Sequence, residues 1–252
     1  MNIHLILQMA ADSMPDREAV VCGSQRLTYQ ALADAVNALA DKLEDTKKLA
    51  YLAETGAAAP VAMFAAALRG IPYVPINYRL AEDQIKALLK RVSPALLISD
   101  DAPEVEGISR ITPAQVFSPG TPWEGFAPDE EGGIAIELFT SGTTGDPKSA
   151  ILRHDNLMAY ILGTIEFMSA EETQSTLVSV PPYHIAGISA ILSSVYAGRS
   201  MVQLPNFSPE AWLKLAIQEN VSQAFLVPTM LQRIIEHVTN KNETIHLPAM
   251  QA

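Results

Sequence analysis

Leu138-Phe139-Thr140-Ser141-Gly142-Thr143-Thr144-Gly145-Asp146-Pro147-Lys148 carries the strongest chemical signal in this chain of 252 residues. It combines flexible backbone, hydroxyl donors and one cation. Gly142 and Gly145 tolerate positive φ and let backbone N–H groups approach an anion, while Thr140, Ser141, Thr143 and Thr144 add hydroxyls. Lys148 supplies a mobile point charge. Together these groups form a cradle suited to a polyphosphate. A plain Gly/Ser/Thr surface turn closed by Pro147 is the bland alternative, and the length and order of the run speak against it.

The run is not a Walker-type phosphate loop. Counting from Gly142, the position of the second glycine falls on Pro147, which has no N–H to give and restricts Asp146 before it. A Walker loop also joins a strand to a helix. Here Ile134 to Phe139 reads as one strand and Ser149 to Arg153 as another, so the loop is expected at the tip of a strand–loop–strand unit.

Thr140 to Lys148, continuing into His154-Asp155-Asn156-Leu157, resembles the phosphate loop of the adenylate-forming superfamily, which includes acyl-CoA synthetases, firefly luciferase and nonribosomal-peptide adenylation domains. Ser149 departs from it, because the family commonly has glycine there. Leu27-Thr28-Tyr29 and Gly70 to Asn77 are similar to further family motifs whose plain role is scaffolding. The ending Asn77-Tyr78-Arg79-Leu80 looks more like acyl-CoA synthetases than amino-acid-activating domains. Pro181-Pro182-Tyr183-His184-Ile185-Ala186-Gly187 resembles the family's aromatic-His-x-x-Gly motif, with tyrosine where phenylalanine is frequent. The double proline is expected to hold His184 at a strand end, where parallel sheets present ligands. Val227-Pro228-Thr229 is similar to the segment that walls the acyl pocket.

The resemblance implies that Thr140, Ser141, Gly142, Thr143, Thr144, Gly145 and Lys148 hold ATP phosphates, that His184 and Lys148 are catalytic, and that Tyr183, His184, Ile185, Gly187, Val227, Pro228 and Thr229 contact the acid. It implies ATP with Mg²⁺, and CoA as acceptor. The activity would be acyl-adenylate formation from a fatty or aryl acid followed by thioester formation. An amino-acid or aryl-acid domain loading a carrier-protein thiol is the alternative within the family. A non-catalytic fragment with weak phosphate binding or a partner surface is the alternative outside it. No residue set suggests a protein-held metal. Glu130-Glu131 and Glu171-Glu172 read as solvated charge rather than catalytic pairs.

The resemblance implies a layered α/β domain of mixed sheets flanked by helices, and composition, 48% hydrophobic and 18% charged, fits a globular α/β protein. A net charge of −11 opposes nucleic-acid binding. The single cysteine, Cys22, has no internal partner and reads as a small buried apolar residue in a reducing, cytoplasmic setting. The alanine-rich stretch from Gly56 to Leu68 falls short of the roughly 20 residues a membrane span needs and is expected to be a buried helix. A homo-oligomer stays open.

Thr28 is expected to cap a helix whose stripe is Leu32, Ala35, Val36, Leu39, Ala40 and Leu43. Pro103 to Pro128 reads as a surface excursion. Asp155 or Asn156 is expected to cap a helix reaching about Met168, Ser208 one reaching Glu219, and Thr229 one reaching about Val238. Strands are expected over Lys48–Leu52, Thr176–Val180, Met201–Leu204 and Val221–Val227. Alternation of strands with helices implies parallel pairing. Nothing after Lys241 matches the family's adenine, ribose, hinge or lid motifs, so residues 1–252 are expected to form an incomplete N-terminal domain, its C-terminal lid absent.

Overall fold

The structure, a computed structural model, describes residues 1–128, 132–140, 147–241 and 244–250. Its helices are α1 (His4–Ser13), α2 (Tyr29–Asp41), α3 (Ala58–Leu68), α4 (Glu82–Val92), α5 (His154–Thr164), α6 (Ile185–Ala197), α7 (Pro209–Gln218) and α8 (Pro228–Lys241). Its strands are β1 (Glu18–Cys22), β2 (Gln25–Thr28), β3 (Leu49–Tyr51), β4 (Tyr73–Pro75), β5 (Ala95–Ile98), β6 (Ile108–Ile111), β7 (Ile134–Thr140), β8 (Lys148–Arg153), β9 (Ser175–Val178), β10 (Ser200–Gln203) and β11 (Gln223–Phe225).

The strands form two sheets, ordered β11-β9-β10-β1-β2 and β6-β5-β3-β4-β7-β8. Both are parallel except at one edge, where β1–β2 and β7–β8 pair antiparallel. The fold is therefore mixed α/β, as the alternation of elements implies.

Strand periodicity builds the layers. In β1, Val20 joins the central core and Val21 an outer one; Tyr51 and Ala50, Tyr73 and Val74, Leu96 and Leu97, and Met201 and Val202 divide the same way. Both faces of each sheet are covered, so the strands are short apolar runs rather than polar–apolar alternations. The central layer takes α1, α2, α3 and α6, whose buried side chains share one cluster with the inner faces of the two sheets. Outside, α4 packs over the six-stranded sheet, and α7 with Ile234 and the partly buried Val238 of α8 over the five-stranded sheet.

Helix α3 is buried at every residue, which is why its alanine-rich sequence shows no polar face. The Thr28 hydroxyl accepts from the Ala31 N–H at 3.1 Å, and Ser208 does the same for Ala211 at 3.1 Å. Both caps were legible from sequence.

Several placements differ from the sequence-based expectations. Helix α5 begins at His154 with Arg153 at its cap and ends at Thr164. Asp155 does not cap it: its carboxylate accepts from the Met1 ammonium at 2.7 Å instead. Thr229 lies inside the first turn of α8, because Pro228 already supplies the helical φ at the first position. The 103–128 excursion contains β6, an edge strand whose exposed centre hides its signal, and a 3₁₀ turn at Ala114–Phe117. His184 stands six residues beyond the end of β9, as the cap residue of α6 rather than at the strand end itself.

Candidate functional site

Strands β7 and β8 form the expected strand–loop–strand unit and pair antiparallel, with Thr140 opposite Lys148 in register. The Thr140 hydroxyl donates to the Lys148 carbonyl at 3.4 Å, and both residues are exposed. Ser141, Gly142, Thr143, Thr144 and Gly145, which the sequence marks as phosphate-binding, lie outside the described residues, as do Glu130 and Glu131.

A second element approaches from the other sheet. After β9 the chain turns through Pro181-Pro182, and the His184 N–H donates to the Pro181 carbonyl at 3.1 Å. Gly187 seals this turn. A Cβ there would stand 2.5 Å from the Pro181 carbonyl oxygen and 2.8 Å from that of Val180, so only glycine fits without backbone movement. It is buried, close-packed beneath the turn.

Tyr183 is buried between two rings. It meets Tyr78 edge-on at 5.6 Å between centroids and His184 at 4.6 Å. Arg79 lies 5.5 Å from the Tyr78 ring. Partial burial lowers the His184 pKa, and the nearby Arg79 charge lowers it further, so the imidazole is neutral at pH 7. A neutral ring offers a donor and an acceptor rather than a fixed charge.

These two elements enclose one cavity of about 580 Å³. Thr140 and Pro147 at the hairpin mouth line one side, Tyr183, His184 and Ile185 another, and Asn77, Leu80 and Gln84 a third. Leu138, Phe139, Ala150 and Leu152 give it an apolar floor. An apolar chamber with a few convergent polar groups is the usual form of a small-molecule site. Val227 and Thr229 line a separate cavity of about 200 Å³, which Arg79 and Pro181 also border. Five of the expected acid-binding residues are thus divided between two spaces, while Gly187 and Pro228 line neither of them. Among the described residues no cluster of three or more His, Cys, Asp or Glu is placed to hold a metal ion. No described helix is long and apolar enough to cross a membrane.

Reading the sequence as motifs missed the part played by Asn77, Tyr78 and Arg79. They were legible as a family signature, but only folding shows that Tyr78 packs on Tyr183, that Asn77 lines the main cavity and that Arg79 borders the smaller one. Gln84 gave no sequence signal at all.

The chain belongs to the AMP-binding enzyme family, whose model matches residues 7–251. It is 29% identical over 237 residues to a feruloyl-CoA synthase of Amycolatopsis sp, covering 88% of this chain and 48% of that one. It is 25% identical over 253 residues to a 2-succinylbenzoate–CoA ligase of Bacillus cytotoxicus, covering 97% and 52%. Among solved structures, an O-succinylbenzoate coenzyme A synthetase of Bacillus subtilis in complex with AMP superimposes with a TM-score of 0.80 at 25% identity, covering 92% of this chain and 64% of that one. A Mycobacterium tuberculosis fatty acyl CoA synthetase matches with a TM-score of 0.81 at 21% identity, over 99% of this chain and 53% of that one, a likeness of fold. The chain spans about half the length of the curated relatives it matches.

Proposed function

We propose that these residues form the large N-terminal part of an ATP-dependent acid–CoA ligase. A carboxylate attacks the α-phosphate of ATP to give acyl-adenylate and pyrophosphate, and the CoA thiol then displaces AMP. The observation that carries this reading is the single cavity lined by both the mouth of the β7–β8 hairpin and the Tyr183–His184–Ile185 turn.

In this reading Lys148 and the hydroxyls from Thr140 to Thr144 hold the β- and γ-phosphates, which leave as pyrophosphate. Mg²⁺ would arrive with the nucleotide, since it is usually held by phosphates, water and one or two carboxylates. Neutral His184 donates a hydrogen bond to the group in transfer, where charge builds in the transition state. The protein otherwise supplies alignment of carboxylate and phosphorus. The apolar floor of Leu138, Phe139, Ala150 and Leu152 favours an acid with an aryl or alkyl body. The likeness to feruloyl-CoA and 2-succinylbenzoate–CoA ligases agrees with that.

The test is acid-dependent exchange of labelled pyrophosphate into ATP by the intact protein, across hydroxycinnamic, benzoic and fatty acids. Exchange with at least one class is expected, followed by acyl-CoA formation when CoA is added. No exchange with any acid sinks the reading, and exchange without thioester formation moves the acceptor to a carrier-protein thiol.

A further inference from the structure

Among the described residues, the side-chain link across the two strand ends that flank residues 141–146, beyond the backbone ladder, is the 3.4 Å contact from the Thr140 hydroxyl to the Lys148 carbonyl. A phosphate cradle needs those ends held, because a misplacement of about 1 Å can cost on the order of a hundredfold in rate. Two braces reach the hairpin from elements outside it.

The first is Arg91, in the last turn of α4. Its guanidinium donates to the Pro147 carbonyl at 2.5 Å, next to Lys148, and lies 5.1 Å from the centroid of the Phe139 ring, next to Thr140. One side chain thus touches the chain next to both Thr140 and Lys148. Arginine suits this double contact, since its planar fork gives a directed hydrogen bond while its face lies on an aromatic ring.

The second brace is one step further down the hairpin. Glu137 of β7 accepts from the Ser149 hydroxyl of β8 at 2.8 Å and from the Lys48 ammonium at the head of β3 at 2.7 Å. Burial alone would raise the Glu137 pKa, but the hydrogen bonds from Lys48 and Ser149, with the charges of Lys48 and Arg91, outweigh it and hold the carboxyl ionised. Ser149, which departs from the glycine common in the resembled family, supplies the hydroxyl that closes this brace across the strands.

We infer that Arg91, together with the Lys48–Glu137–Ser149 cluster, positions the strand ends Thr140 and Lys148 for the nucleotide phosphates; the inference rests on the function proposed above. These are positioning residues, acting through the hairpin rather than on substrate. Arg91 is exposed, and exposed polar contacts contribute about 0–1 kcal/mol to stability, so its effect on nucleotide use is separable from an effect on folding.

The experiment compares wild type, Arg91→Ala, Arg91→Lys and Ser149→Ala in the intact protein. KM for ATP and KM for the acid are measured separately in pyrophosphate exchange, with thermal unfolding and amide hydrogen exchange alongside. Arg91→Ala is expected to raise KM for ATP roughly tenfold, the loss of one charge-assisted hydrogen bond. KM for the acid and the midpoint of unfolding should stay unchanged, and amides of Thr140 and Ser149 should exchange faster. Arg91→Lys should recover part of the loss, since an ammonium still reaches the carbonyl but cannot lie flat on Phe139. Ser149→Ala should shift KM for ATP in the same direction by roughly threefold.

An unchanged KM for ATP in folded Arg91→Ala, or an equal rise in KM for the acid, overturns the inference. If Arg91→Ala fails to fold, a folded Ser149→Ala with unaltered KM and amide exchange overturns it as well. A wild-type protein without acid-dependent exchange breaks the proposed function and this inference together. An active wild type whose variants match it breaks this inference alone.

Discussion

Helix α3 and the rim of the cavity are opposite solutions in one chain. All eleven residues of α3 are buried, with Val61, Phe64 and Ala65 wholly inaccessible, and none carries a polar side chain. At the rim, Thr140, Lys148, His184 and Ile185 are exposed, and their backbone comes from strand ends and a helix cap. The helix gains from apolar contact on all sides and offers nothing to a ligand. The rim gives up burial, and in the proposed function its polar groups meet the substrate. Stability and chemistry should therefore be separable by mutation, which is open to direct attack.

The largest effect is expected inside. Phe64→Ala in α3 should cost about 3–5 kcal/mol by equilibrium denaturation, because the tightly enclosed site cannot collapse around the lost ring. Its exchange activity per folded molecule should stay near wild type. If activity per folded molecule falls sharply, the helix is coupled to the site and the separation fails.

Acid should also act on the interior. Burial lowers the pKa of His4 to about 4, against a weaker backbone hydrogen bond to Phe64. His154 is likewise lowered to about 4, by burial first and then by the Met1 ammonium. Both rings are neutral when folded, so between pH 6.5 and 4 the unfolded chain binds protons that the folded one does not. Stability should fall as pH drops through this window, by roughly 3 kcal/mol per ring at pH 4. Replacing both histidines with glutamine should flatten the pH dependence of the unfolding free energy; an unchanged slope would assign acid sensitivity elsewhere.

The rim should respond the other way round. Lys148→Ala should reduce pyrophosphate exchange roughly a hundredfold, as for removal of one preorganised charge stabiliser, and leave stability within about 0.5 kcal/mol. Normal exchange by the folded variant would remove Lys148 from the site. His184→Ala should lower kcat by roughly ten- to a hundredfold while ATP affinity, measured by direct binding, holds. Collapse of ATP affinity with kcat preserved would make the imidazole a ground-state contact rather than a transition-state one.

A third region sharpens the contrast. Helix α8 has apolar side chains at helical spacing, yet Ile234 is its buried residue, while Leu231 and Ile235 are about half exposed, as is Phe225 of β11 beside it. The pattern that reads as a core-facing stripe does not say whether anything covers it. In α2 the same kind of stripe is largely used: Leu32, Val36, Leu39 and Ala40 are inaccessible, and Ala35 is half-buried.

The sequence by itself determined much of this protein, because the relevant signals are local. A Thr or Ser hydroxyl finds an N–H three residues away, so the caps of α2 and α7 are legible at Thr28 and Ser208. Apolar run length marked α3 as buried, and the run from Thr140 to Lys148 was legible as the connection between two strands, β7 and β8. Tertiary structure alone decided the contacts between segments distant in sequence. It brought Tyr78 onto Tyr183 and set the hairpin mouth across a cavity from His184. It also drew Lys48 to Glu137 and Arg91 to Pro147. No periodicity or propensity encodes such pairs, because which side chains meet depends on the order of strands in the two sheets, and that order minimises the free energy of the whole chain rather than of any one segment.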